Sequence, residues 1–395
     1  MRRRQDNEST HMTQGAVVVF GGPPYQQSAN QTSMQMLEAI SGARRVLYVA
    51  RGNPRPLRTR RFRDFLSSNK RESFARPGLH LVNARLAVLN LPTWSDWIPL
   101  VAPEVVRRIQ LMMIRMLLQR AVKRLNFREP KLVTYWWMFP EIVRMACWRY
   151  RTFDVIDRHW GYEYLGHRLR QANWRLAVAT AQVSDRIVAV SEGLASELQP
   201  HIKTSVEVLP NGVDIDRVRR VLRNAVARTQ VSERRKTAAY VGGWNSRIDL
   251  LLVTRVVRSL PDWSFLIIGV DEVPELAGMP NVRIVGDLAY DEVINELSTA
   301  RVGLVPFHVD AYTKASSFLK VFDYLAAGMS VLSTRLPTVE AIAARFPQYI
   351  RVESGANWVE QLQEMGATEE LAPIDLALLP SIDQRAQALL APPMD

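Results

Sequence analysis

Residues 316–334 read SSFLKVFDYLAAGMSVLST. Leu319, Val321, Phe322 and Leu325 recur at helical spacing. Ala327-Gly328 is a helix stop, and Val331-Leu332 opens a short buried-strand run. Lys320 and Asp323 stand three apart, so a helix brings them to one face near its first turns, just after the hydroxyls of Ser316 and Ser317. At a helix start, free backbone N–H groups and a lysine hold a phosphate while a carboxylate holds a ribose hydroxyl. That is half of a nucleotide site. An amphipathic helix with ordinary surface charges gives the same pattern, so the stretch alone leaves both readings open.

Two further stretches sharpen it. Residues 210–214 read PNGVD, and residues 185–198 read DRIVAVSEGLASEL. With 316–334 they resemble, in the same chain order, the motifs of GT-B glycosyltransferases, over about residues 150–335. Members of that family often carry P-x-K-x-x-E-Y-x-A-x-G-x-P-V on the donor-binding helix; here the acid is Asp323 and the glycine Gly328. The resemblance implies an α/β fold of two Rossmann-like parallel-sheet domains facing across a cleft. It implies a nucleotide-sugar donor, UDP-sugar favoured, held by Gly242, Gly243, Trp244, Ser316, Ser317, Lys320, Asp323 and Tyr324, with no metal and no other cofactor. It looks most like enzymes of bacterial exopolysaccharide or envelope glycan assembly, distantly similar to the glucuronosyltransferase of xanthan assembly, so the implied acceptor is a glycan, lipid-linked in that setting.

Composition is that of a globular protein. The 395 residues suit two domains, 47% are hydrophobic and 23% charged, and the single cysteine, Cys147, excludes an internal disulfide. The net charge of +12 is uneven: residues 1–235 carry 39 Lys+Arg against 19 Asp+Glu, while the remainder carries 12 against 20. A basic first half calls for a polyanionic partner, nucleic acid or an anionic membrane surface, although it also simply raises solubility. No nucleic-acid recognition motif accompanies it, and no nucleic-acid partner is expected. Residues 1–15 read as a disordered leader without the apolar core of a signal peptide, and no segment reads as a transmembrane helix. The expected location is therefore cytoplasmic, peripheral on the inner face of the membrane.

Short apolar runs alternate with helical patterns, as in parallel α/β sheets. Strands are expected at 16–20, 45–50, 79–82, 131–136, 154–157, 186–190 and 205–209, and again at 238–241, 264–268, 282–285, 302–305, 330–333 and 349–352. The expected division is an acceptor-binding domain at 16–214, a polar Arg-rich linker at 215–236, a donor-binding domain at 237–375, and a segment at 376–395 packing back on the first domain. Ligands of such sheets bind beyond the carboxyl ends of the strands, which singles out the loops at 21–27, 191–193, 242–244 and 307–317, and those after Trp137 and Asp157.

Asp157 and His159 sit at such a strand end in VIDRHWG, 155–161. A carboxylate there takes the proton of an acceptor hydroxyl, and inverting GT-B enzymes commonly use an Asp or His from a first-domain loop. An Asp in that place also caps a following helix. Gly21, Gly22 and Tyr25 follow the first strand on the acceptor side, where a close backbone approach to substrate and a tight turn are equally good explanations. Many retaining relatives carry Glu-x7-Glu; counting back eight from Asp323 gives Ala315, so the first carboxylate is missing and inversion is favoured, with Asp310 as the stand-in if the loop is remodelled. Residues 104–125 are apolar almost all round yet carry six cations, among them Arg108, Arg115 and Arg120, which fits a membrane surface or a core helix with snorkelling arginines. Trp94, Trp97, Trp136 and Trp137 suit sugar stacking, interfacial anchoring or core filling. The rival to a transferase is a non-catalytic or nucleic-acid- or anionic-surface-binding protein on a degenerate Rossmann scaffold.

Overall fold

The computed structural model describes residues 15–23, 25, 32–51, 77–92, 102–162, 165–225, 236–369 and 371–392. The leader as far as residue 14, Trp94 and Trp97 lie outside the described residues.

Two sheets form in series. The first holds β1 (Val17–Gly22), β2 (Val46–Ala50), β3 (Gly78–Leu81), β4 (Leu86–Asn90), β5 (Lys131–Thr134), β6 (Arg151–Val155), β7 (Arg186–Ala189) and β8 (Val206–Val208), in the order β3-β4-β2-β1-β5-β6-β7-β8. The second holds β9 (Thr237–Val241), β10 (Ser264–Ile268), β11 (Val282–Val285), β12 (Val302–Val305), β13 (Ser330–Ser333) and β14 (Ile350–Val352), in the order β11-β10-β9-β12-β13-β14. Every pairing is parallel except β3 with β4. This is the expected GT-B architecture.

The central strands β1, β2, β10 and β12 are apolar almost throughout because helices cover both faces. Alternate residues of β1 and β2 part to opposite sides: Val18, Phe20, Leu47 and Val49 join one core, while Val17, Val19, Val46 and Tyr48 join the other. In the second domain the donor-motif stretch folds as read, with a helix Leu319–Ala326 closed by Gly328 at φ 76° and followed by β13.

Two expectations are corrected. The run at 79–82 is an antiparallel edge strand, and the strand that pairs with β2 is Leu86–Asn90 instead. Asn83 makes the reversal between them, its Oδ1 accepting from the amides of Arg85 at 2.8 Å and Leu86 at 2.9 Å. The stretch read as a linker begins as a helix, Ile215–Ala225. Val218 is fully buried in the second core with Val221 and Leu222 against it, an apolar stripe that the surrounding arginines conceal. Arg217 of that helix pairs with Asp291 and lies 5.1 Å over the Tyr290 ring.

The end of the chain crosses between the domains. Val213 and Ser381 form a parallel bridge, and the helix Ile382–Leu390 packs Ile382, Ala386 and Leu389 into the first-domain core beside Met34, Leu37 and Ile40. Arg385 makes a two-pronged ion pair with Asp154 of β6, at 2.8 and 3.0 Å, with both side chains buried. Removing one partner of a buried pair leaves the other charge without compensation. Arg385→Ala is therefore expected to cost about 3–5 kcal/mol in urea unfolding, and Asp154→Asn/Arg385→Met to recover most of that loss. A cost near zero for Arg385→Ala would contradict this account.

Candidate functional site

Each sheet has a switch point where the connections leave in opposite directions, between β1 and β5 in the first and between β9 and β12 in the second. At such switch points the loops after two neighbouring strands part and open a crevice. The two crevices face each other, and two adjoining cavities fill the space between the domains.

The larger cavity, about 680 Å³, has Gly242, Gly243, Gly269, Lys320 and Asp323 of the second domain on its wall, with Arg51 and Pro23 of the first. Lys320 and Asp323 are brought together on the helix Leu319–Ala326. Lys320 Nζ lies 4.1 Å over the Tyr240 ring and 4.6 Å over that of Phe307. Burial pushes its ammonium down to about 7, against which the Asp323 charge acts. Burial likewise pushes the Asp323 carboxyl up to about 6, although the Tyr290 hydroxyl donates to its Oδ1 at 2.7 Å. A buried ammonium facing a cavity is a site that gains from an anion, since the anion restores what desolvation removed.

The smaller cavity, about 370 Å³, shares Gly243, Ser317 and Lys320 with the larger. Asp157 and His159 line it from the first domain, and Asn211, Asn245, Arg247, Tyr312 and Ser316 complete its wall. Asp157 follows β6 and does not cap the next helix, His167–Gln182, whose N-cap is Gly166. Its Oδ1 accepts from the Arg158 amide at 2.8 Å, and the Tyr312 hydroxyl lies 2.5 Å from both carboxylate oxygens. The His159 ring is stacked on Trp137, with centroids 4.0 Å apart, and its Nδ1 is 3.0 Å from the Tyr162 hydroxyl. Burial pushes that imidazole down to about 4, so it is neutral and a much weaker base than an ordinary histidine.

The second domain reaches the first through the short helix Ala311–Ala315. Ser191 Oγ donates to the Ala315 carbonyl at 2.6 Å, and a Cβ at Gly193 would stand 2.9 Å from Ala315 Cα. Ala315 itself is buried in the first-domain core, where no carboxylate could be solvated. Asp310 is engaged as the cap of this helix, accepting from the amides of Tyr312 and Thr313 at 2.7 and 2.8 Å.

Several expected contacts fall elsewhere. Tyr324 is fully buried, its hydroxyl accepting from the Val241 amide at 3.0 Å and donating to the Leu304 carbonyl at 3.2 Å; it ties β9 to β12 and lines neither of these two cavities. Trp244 packs edge-on against Tyr240, while its neighbours Gly243 and Asn245 line the cleft. Gly21, at φ 91°, and Gly22 are buried because Trp136 and Tyr48 leave no room for a Cβ, and Tyr25 packs on Tyr48. Their contribution is to place Pro23 at the cavity. Trp136 and Trp137 are core residues. Sequence reasoning missed Tyr312 and Arg247, although 307–317 was among the loops it singled out. Among the described residues no cluster of three or more His, Cys, Asp or Glu could hold a metal ion.

Comparison with known proteins points the same way. Residues 96–217 match the family described as Glycosyltransferase Family 4. A Bacillus subtilis (strain 168) protein named for teichuronic acid biosynthesis, the glycosyltransferase TuaH, is 26% identical over 216 residues, which are 51% of this chain and 54% of that one. This chain thus matches about half the length of that relative. A sucrose-phosphate synthase from Thermosynechococcus elongatus has the same fold, with TM-score 0.62, 12% identity, and 95% of this chain and 94% of that chain covered. So has an E. coli trehalose-6-phosphate protein bound with UDP-2-fluoro glucose, with TM-score 0.57, 10% identity and 95% of each chain covered. The neighbours show the fold, which is GT-B, and the family match and the relative support a glycosyltransferase.

Proposed function

We propose that this GT-B glycosyltransferase moves a sugar from a nucleotide-sugar donor, a UDP-sugar by preference, to a hydroxyl of a lipid-linked glycan, without a metal and with inversion. The observation that carries the reading is the meeting of Lys320 and Asp323 of one domain with Asp157 of the other on the walls of adjoining cavities. Asp323 takes the ribose and Lys320 the diphosphate, helped by the backbone of Gly242 and Gly243. Asp157 removes the proton of the acceptor hydroxyl as its oxygen attacks the anomeric carbon. The bond to the diphosphate breaks on the opposite face, and the charge that develops there falls to Lys320. Ala315 and the capping role of Asp310 favour this route over retention, since neither supplies a second carboxylate at the donor. The UDP preference is supported by the ligand named for the E. coli neighbour, and a glycan of the cell envelope by the name of the Bacillus relative.

A membrane-bound acceptor suits the surface of the helix Glu104–Arg124. Val105, Ile109, Met112 and Met116 form an exposed apolar stripe at helical spacing, while Gln110, Ile114, Leu118 and Ala121 face the core. Arg108, Arg115 and Arg120 are exposed beside the stripe. Among the described residues no helix is long and apolar enough to cross a membrane. A stripe rimmed by cations is the pattern of a helix lying in a headgroup layer.

Two experiments test the assignment. Titration calorimetry with UDP should show Lys320→Met binding more weakly than wild type. Because Lys320 loses its proton near pH 7 in the empty site, the difference should be largest below pH 7 and shrink towards pH 9. Asp157→Asn should keep UDP affinity and lose roughly 10²–10⁴ in transfer rate; full turnover would exclude it as the base. For the surface, flotation should recover the protein with anionic vesicles and progressively less as salt is raised, since screening acts over about 10 Å at 0.1 M. Equal flotation with neutral and anionic vesicles would contradict peripheral binding by charge.

A further inference from the structure

Asp157, the base of the proposed reaction, already has a hydroxyl on it. Tyr312, from the second-domain helix Ala311–Ala315, lies with its hydroxyl 2.5 Å from Oδ1 and 2.5 Å from Oδ2. The Arg158 amide donates to Oδ1 at 2.8 Å, and the Tyr162 hydroxyl reaches Oδ2 at 3.5 Å. An ionised carboxylate offers about four acceptor positions, and these contacts engage both oxygens. The phenol is firmly held there. The Arg247 guanidinium lies 3.8 Å over its ring and the Tyr162 ring stacks 5.9 Å away, while Asp310 and Ser191 anchor the two ends of the helix that carries it. Burial and the neighbouring carboxylate keep Tyr312 protonated.

Aiming the carboxylate does not require this contact, because the Arg158 amide and Tyr162 already orient it from its own domain. Asp157 and the phenol bonded to it both line the 370 Å³ cavity, so the contact sits where a ligand in that cavity would meet the carboxylate. We propose that Tyr312 is a specificity-determining residue that withholds Asp157 from water and yields it to the hydroxyl of a bound acceptor. The proposal rests on the reading of Asp157 as the base. In the side reaction it suppresses, water would give one proton to Asp157 and bond through its oxygen to the anomeric carbon. The nucleoside diphosphate would leave with the electrons of the broken C–O bond, wasting the donor. An acceptor glycan gains binding energy from parts remote from its reacting hydroxyl, and that energy displaces the phenol. A single water has no such contacts.

The test uses the full chain with Tyr312→Phe, which keeps the ring on Arg247 and removes the hydroxyl. Asp157 is labelled with a water-soluble carbodiimide and glycine ethyl ester, and its peptide is followed by mass spectrometry. UDP release from UDP-glucose is measured without acceptor. A hydrogen bond to a charged group is strong enough that labelling of Asp157 should quicken about tenfold or more in the variant. UDP release should rise by a similar factor and return to the starting level in Asp157→Asn/Tyr312→Phe. Equal labelling of Asp157 in wild type and variant overturns the proposal whichever sugar is the true donor, and so does a fall in UDP release. A gain in release that persists in the double variant contradicts Asp157 as the base, and leaves the shielding by Tyr312 to be judged by the labelling.

Discussion

Ser191 Oγ donates to the carbonyl of Ala315, and the relation between the two halves of the cleft is keyed to that contact. It docks the loop after β12 onto the end of β7, and it works only because Gly193 has no side chain to hold Ala315 away. From that anchor the helix Ala311–Ala315 projects Tyr312 onto Asp157, and the chain continues directly into Ser316, Ser317 and the helix bearing Lys320 and Asp323. One short segment thus connects the first-domain carboxylate with the second-domain wall of the larger cavity. The crossing helix Ile382–Leu390, locked by Arg385 on Asp154, ties the chain end to the first domain as well.

The electrostatic character of the cleft is set within the second domain. Lys320 sits against aromatic faces, and Asp323 is buried behind it with one tyrosine as donor. Neither charge is well solvated when the cavity is empty, so both are poised to gain from a ligand that is anionic at one end and hydroxylated at the other. The Ala315 position shows the reverse logic. A second carboxylate placed there would be buried at the domain interface, on the wall of neither cavity, so its absence follows from packing as much as from chemistry.

Most of the fold was legible because parallel strands covered on both faces leave continuous apolar runs, as in 264–268 and 302–305. Legibility failed where a run was short or disguised. Leu86–Asn90 was overlooked because only the Asn83 reversal separates it from the preceding strand, and Ile215–Ala225 because its apolar stripe is narrow among five charged residues. In the site, Lys320 and Asp323 stood out through their spacing on one helix and Asp157 through its strand-end place. Tyr312 and Arg247 carried no such signal, since their importance arises from contact across a domain interface that no local pattern encodes. Tyr324 misled for the opposite reason: it is one residue from Asp323 in sequence, but one residue along a helix turns the side chain by about 100°, here into the core.

The central claim is that attack guided by Asp157 comes from the face opposite a diphosphate held at Lys320. The measurement that tests it most directly is the anomeric configuration of the first-formed product, read from proton couplings by NMR once a competent donor and acceptor are in hand. Inversion relative to the nucleotide sugar is expected. Retention of the donor's configuration would contradict it.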